Sequence, residues 1–152
     1  MKITEPPRGP ERRKQDVLAR LASELDVWVA SADADGAPCL VPLWFRWDGQ
    51  FLWLATRPTN PTGRNLRDGG RARLAFGDTR DVVLIDGDVT AFTARTVPAA
   101  AAEGFLARSG WDPRASSKPY AYFRVRPRAV QAWNGEHELA GRHLMRDGRW
   151  VV

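Results

Sequence analysis

The residues with the clearest chemical potential form one short run, Thr56-Arg57-Pro58-Thr59-Asn60-Pro61-Thr62-Gly63-Arg64-Asn65. Thr56, Thr59 and Thr62 offer hydroxyl donors, and Arg57 and Arg64 can grip phosphate oxygens through two parallel N–H groups. Thr62 is placed to cap a short helix, Gly63–Asp68, ended by Gly69-Gly70. The N-terminus of that helix would add backbone donors and a favourable dipole for an anion. From Arg57 to Arg73 there are five Arg and one Asp, most of the net charge of +5 on the whole chain. This pattern points to a phosphorylated ligand. A solvated, capped loop with no ligand is the alternative that these residues leave open.

The run is flanked by strands. Short apolar stretches are punctuated by Asp35-Gly36, Asp48-Gly49, Gly69-Gly70 and Asp86-Gly87, dipeptides that accept the positive φ of hairpin turns. Strands are expected at Val27–Ala32, Pro38–Trp47, Phe51–Thr56, Ala72–Phe76, Val82–Thr93, Tyr120–Val125 and Ala129–Trp133. Pro42 marks an edge, bulge or corner in the second strand, and Asp86-Gly87 a turn or bulge in the fifth. Leu144–Met145 and Trp150–Val152 form a last hairpin around Asp147-Gly148. Helices are expected over Glu11–Leu25, where Val17, Leu18, Leu21 and Leu25 share a face, and over Thr96–Arg108. Residues 1–10, with three Pro and one Gly, read as an extended, loosely held arm ahead of a single domain at 11–152. The sum is a mainly β fold, a small antiparallel barrel or strongly curved sheet with short helices.

Composition narrows the function. The chain has 152 residues, enough for one domain. Its 23 Lys and Arg, 20 of them Arg, stand against 18 Asp and Glu. That modest excess favours recruitment of a small anion. Cys39, the only cysteine, lies in an apolar run and reads as a buried thiol; it excludes an internal disulfide. His137 and His143 read as surface histidines, so no metal site is expected. Asp78, Asp81, Asp86 and Asp88 read as turn residues. No apolar stretch is long enough to cross a bilayer, and the first residues lack a signal-peptide segment, so a cytoplasmic protein is expected.

Four pieces in order carry a resemblance: Val41-Pro42-Leu43-Trp44-Phe45, Leu54-Ala55-Thr56-Arg57, Thr62-Gly63-Arg64-Asn65-Leu66, and Asp81–Gly87. Together they resemble the pyridoxamine 5′-phosphate oxidase-like, flavin-binding split-barrel family, over roughly Leu18 to Trp133. The resemblance implies a split β-barrel of antiparallel Greek-key type and a homodimer with cofactor sites at the subunit interface. It implies FMN, or alternatively a deazaflavin coenzyme, as cofactor. Leu43, Trp44 and Phe45 would flank the ring, largely through backbone contacts. Thr56, Arg57, Thr62 and Arg64, with Asn65 beside them, would hold the phosphate end, and Trp133 would approach the ring. The chain ends in Gly148-Arg149-Trp150-Val151-Val152 without the Arg-rich segment of the true oxidases, so vitamin B6 phosphate is not the expected substrate.

The reading that follows is a flavin- or deazaflavin-dependent oxidoreductase acting on a small molecule, with no catalytic side chain assigned. A non-catalytic protein that stores or senses flavin, haem or another flat anion is the alternative. A nucleic-acid binder would need Tyr120, Tyr122, Arg124 and Arg126 to share an open sheet face. The homodimer interface is expected to bury several of Trp44, Trp47, Trp53 and Trp133.

Overall fold

The computed structural model describes residues 5–152. The first four residues of the expected N-terminal arm lie outside the described residues. Alternation along β1 (Asp26–Ala32) turns Val27 and Val29 inward and leaves Trp28 outside. β1 pairs on one side with β2 (Pro38–Trp47), which pairs with β3 (Leu52–Thr56). Helix α2 (Pro61–Gly69) then carries the chain across to β4 (Arg71–Ala75), on the other side of β1. β5 (Val82–Thr93) follows, then α3 (Ala99–Ser109) and the long β6 (Ala121–Trp133). Antiparallel pairing of β6 with β3 closes these six strands into a barrel, and β7 (His143–Arg146) and β8 (Arg149–Trp150) extend the sheet beyond it. The architecture is the split barrel expected from the sequence.

Two apolar layers hold it together. The barrel interior contains Val29, Leu52, Leu54, Leu74, Ile85, Phe123 and Val125, all essentially buried. α1 (Pro10–Ser23) adds Val17 and Leu21, and α2 adds Leu66. The second layer lies outside the barrel, where α3 covers β3 and β6 through Ala102, Phe105, Trp53 and Tyr122. Every residue of β3 is therefore buried, with alternate side chains in different layers.

Local differences from the expected elements have physical causes. β6 is one strand rather than two, because Pro127 falls at a bulge where Asp86 pairs with Ala129 and Gly87 with Pro127. The bulge absorbs the missing proline donor, and Asp86-Gly87 stays inside β5 instead of turning the chain. Asp86 and Asp88 are accordingly strand residues, paired with Arg73 and Arg128. Of the four aspartates Asp78, Asp81, Asp86 and Asp88, only Asp78 caps a turn, accepting from the Arg80 and Asp81 N–H groups. Pro42 needs no bulge: β3 pairs only with Phe45–Trp47, so among the described residues the outer edge of Pro38–Trp44 has no strand partner.

Within the arm, Arg8 is tied to the body of the domain. Arg8 donates from its backbone and guanidinium to Glu138, which is 1% exposed, and also reaches Asp16. Beneath it, buried Arg13 donates to the carbonyls of Ala132, Glu138 and Arg8. Burial works against ionising Glu138, but the Arg8 and Asn134 hydrogen bonds and the Arg8 charge outweigh it and hold the carboxyl at about 2. Among the described residues no helix is long and apolar enough to cross a membrane, and no group of three or more His, Cys, Asp and Glu could hold a metal ion.

Candidate functional site

The end of β3, the loop after it and the start of β6 meet beside the unpaired edge of β2. There a cleft of about 330 Å³ is lined by Asp26, Pro42, Leu43, Trp44, Ala55, Thr56, Trp111 and Tyr120. Register explains the assembly: Thr56 pairs with Ala121, so the strand end bearing Thr56 and Arg57 faces Tyr120 directly. Trp111 stands edge-on to Trp44, Phe105 and Tyr120, with the Tyr120 ring centroid 4.8 Å away. Trp44 remains 50% exposed and forms an open aromatic wall.

The loop is internally braced. Asn60, not Thr62, caps α2: its side chain accepts from Gly63 N–H at 2.7 Å and donates to the Thr56 hydroxyl at 2.9 Å. Asn before Pro61 is itself a helix-start signal, an N-cap followed by proline at the first helical position. Thr62 is instead buried, its hydroxyl 3.3 Å from the Cys39 sulfur. Gly63 is required by close approach, since a Cβ there would collide with the Arg57 carbonyl. Cys39 is half-buried rather than enclosed.

Among the described residues, Arg57 is the cation of the loop with a buried donor left unmet. Its guanidinium lies 5.8 Å from the Tyr120 ring centroid, and its Nε is buried without a hydrogen-bond partner. A buried donor left unpaired costs about 1–3 kcal/mol, more when charged, so this group favours an acceptor. Arg64 is exposed and donates to the Thr59 carbonyl, and Asn65 donates to the Ser31 hydroxyl.

The expected binding residues thus divide into three groups. Leu43, Trp44 and Thr56 line the cleft, and Arg57, Thr62, Arg64 and Asn65 cluster on the adjoining loop and α2. Phe45 is in the barrel interior, 6.0 Å from Phe76, and its N–H donates to the Leu25 carbonyl. Trp133 pairs with Val82 at the opposite end of β6 from Ala121. On the order of 40 Å of extended strand separates those ends, so within one chain Trp133 does not reach the cleft. Trp111, Tyr120 and Asp26 were not legible as neighbours, because loop and strand-end packing brings them together.

The condition set for a nucleic-acid binder is not met, and one expected interface residue drops out. Tyr122 is fully buried under α3, and Arg124 lies over the rings of Phe51 and Phe92, so no open Tyr–Arg face exists for nucleic acid. Trp53 is already enclosed by its own chain at 3% exposure, donating to Asp48, and is unavailable to an interface. Trp28 and Trp44 are the exposed tryptophans, on one face with Leu40 and Pro42.

The barrel has counterparts among known proteins. An F420 reductase superposes with a TM-score of 0.60 at 22% identity, covering 74% of this chain and 93% of that one. The haem storage protein HutZ of Vibrio cholerae gives 0.62 at 11% identity, covering 79% and 94%. A Clostridium acetobutylicum protein related to general stress protein 26, of the pyridoxinephosphate oxidase family, gives 0.64 at 14% identity, covering 82% and 90%. At these identities the likeness is one of fold. No curated protein matches the sequence. The family model for pyridoxamine 5′-phosphate oxidase, however, matches residues 14–134, from within α1 to just past the end of β6. With the whole barrel and the Thr56–Asn65 loop inside that match, this chain belongs to the pyridoxamine 5′-phosphate oxidase family.

Proposed function

We propose that this protein is a flavin- or deazaflavin-dependent oxidoreductase acting on a small molecule. The observation that carries the reading is Arg57, a cation with a buried, unpartnered Nε, which follows cleft-lining Thr56 and lies 5.8 Å from the ring of cleft-lining Tyr120. A flat, phosphorylated cofactor supplies what each part lacks. Its ring has Trp44 and Leu43 to lie against and free backbone groups of β2 to meet. Its anionic end has Arg57, the Thr56 hydroxyl and the N-terminus of α2. Arg64 and Asn65 are close enough in sequence to join that end, at the cost of their present hydrogen bonds.

The bound cofactor would supply the hydride chemistry. The chain's own residues would bind and orient it. Trp44, Trp111 and Tyr120 would line one side of the ring with apolar surface. No side chain is assigned as acid or base, consistent with chemistry that resides on the cofactor.

The working form is proposed to be a homodimer. Trp28, Leu40, Pro42 and Trp44 leave an apolar sheet face open next to the cleft, of the kind that a second copy covers. In such a dimer Trp133 could approach the cleft only from the other subunit.

Storage of a flat ligand without turnover is the second reading, favoured by the likeness to HutZ. Neither histidine of the chain lines the Trp44 cleft, which offers haem no imidazole ligand there. Turnover separates the two: reduction of the loaded protein by a nicotinamide donor, followed by reoxidation by an acceptor, supports the oxidoreductase. Tight binding with no electron transfer to any acceptor supports storage.

A further inference from the structure

Tyr120 has two sides. One lines the Trp44 cleft and the other lines a separate groove of about 550 Å³ between the Thr93–Thr96 turn and the Pro113–Pro119 loop. Arg95, Arg114 and Lys118 line that groove with Ser116 and Ser117, and none of the lining residues is acidic. Other large clefts differ in this respect. The one beside Arg8 contains Asp16, Asp81 and Glu138, and the one beside Arg73 contains Asp86, Asp88 and Asp147, so their cations meet carboxylates on the spot.

The groove's walls are fixed by local bonds. The Thr93 hydroxyl accepts from the Arg95 and Thr96 N–H groups, and the Thr96 hydroxyl accepts from Thr93 N–H, which locks the turn bearing Arg95. Asp112 accepts from the Arg114 backbone and binds its guanidinium at 2.9 and 3.1 Å. Arg114 is thereby spent on the loop. Lys118 N–H donates to the Ser116 hydroxyl, leaving that hydroxyl's own proton free to donate. Arg95 and Lys118 carry no side-chain hydrogen bond or ion pair among the described residues. Two unspent cations and two hydroxyls on a braced frame make an anion cradle, one tyrosine ring away from the cleft.

We infer that this groove binds the carboxylate or phosphate of a second ligand, so that the molecule acted on is an acid whose apolar body reaches past Tyr120 toward the cleft. The inference rests on the oxidoreductase reading for its term "acted on", but the anion site itself does not. The same chemistry could come from the cofactor's own phosphate, and the experiment separates the two sources.

The test uses the full chain in excess FMN, titrated calorimetrically with 1-naphthyl phosphate and with uncharged 1-naphthol. Wild type is compared with the Arg95→Ala/Lys118→Ala double variant; both side chains are exposed, and circular dichroism checks the fold. Loss of two charge-assisted contacts corresponds to a change of about ten-fold or more. The expected result is that wild type prefers the phosphate ester by at least that factor, and that the folded double variant loses the preference. Equal binding of 1-naphthyl phosphate to both proteins overturns the inference. In a parallel titration, unchanged FMN affinity in the double variant assigns the groove to the second ligand. A matching fall in FMN affinity assigns it to the cofactor and overturns the inference. Failure of FMN to bind either protein counts against that cofactor only, and the naphthyl phosphate comparison still decides the groove.

Discussion

Replacing Glu138 by Gln removes one charge from the most enclosed ion pair among the described residues while keeping the side chain's size. Glu138 accepts from Arg8 N–H at 2.7 Å, from the Arg8 guanidinium at 2.8 Å and from Asn134 N–H at 2.7 Å. Gln would keep one acceptor oxygen and turn an amide toward groups that can only donate. The carboxyl stands at about 2 in the fold against an ordinary 4.5. A depression of that size corresponds to about 3 kcal/mol of folding stability. Removing one partner of a buried pair costs a similar amount, about 3–5 kcal/mol, and Asp16 near Arg8 favours the lower end. For a domain of this size the variant should melt roughly 6–12 °C below wild type at pH 7. Because the folded value is the lower one, the stabilisation is fully present above about pH 4.5 and is lost as pH falls towards 2. Melting curves of both proteins from pH 7 to 2 should therefore start apart and converge in that window. A gap under about 1 kcal/mol at pH 7, or one that does not close with acid, would refute the assignment of Glu138 as the anchor of the N-terminal segment.

Three further outcomes follow from the same geometry. Asn60→Ala should cost about 1 kcal/mol in denaturant unfolding through loss of the α2 cap, and should weaken cofactor binding because the Thr56 hydroxyl loses its donor. Gly63→Ala should cost about 1–3 kcal/mol, since the new methyl meets the Arg57 carbonyl and the loop must shift; an unchanged melting temperature would show that the approach is looser. Trp28→Glu should convert the proposed dimer to a monomer near 17.0 kDa in light scattering with circular dichroism preserved; a wild-type monomer at micromolar concentration would remove the open β1–β2 face as an interface.

Much of the barrel was legible because its strands are set by local signals. The Pro38–Trp47 strand has the boundaries that its apolar run dictates, and Gly36, Gly49 and Gly70 take the positive φ that their turns and cap demand. Pro127 misled for the opposite reason: a bulge accommodates it only because Gly87 lies across the ladder, a pairing that spans the chain. The site was half legible. Thr56 and Arg57 declare themselves by type and adjacency, whereas Trp111 and Tyr120 join them only through β3–β6 register and the packing of α3. Asn60 was available as a cap signal and was overshadowed by Thr62, whose hydroxyl is instead buried against Cys39. The Arg8–Glu138 pair, 130 residues apart in sequence, carries no local signal at all.

The central claim is that Arg57 holds the anionic end of a flat cofactor in the Trp44 cleft. Titration of wild type and Arg57→Ala with FMN and with the deazaflavin coenzyme, read by absorbance and by quenching of the cleft tryptophans, tests it most directly. A charge-assisted contact is worth about 1.5–3 kcal/mol, so the account predicts that one of the two cofactors binds wild type and binds the variant about 10–100-fold more weakly, with circular dichroism unchanged. Equal affinity in a folded Arg57→Ala variant, or no binding of either cofactor to wild type, would contradict it.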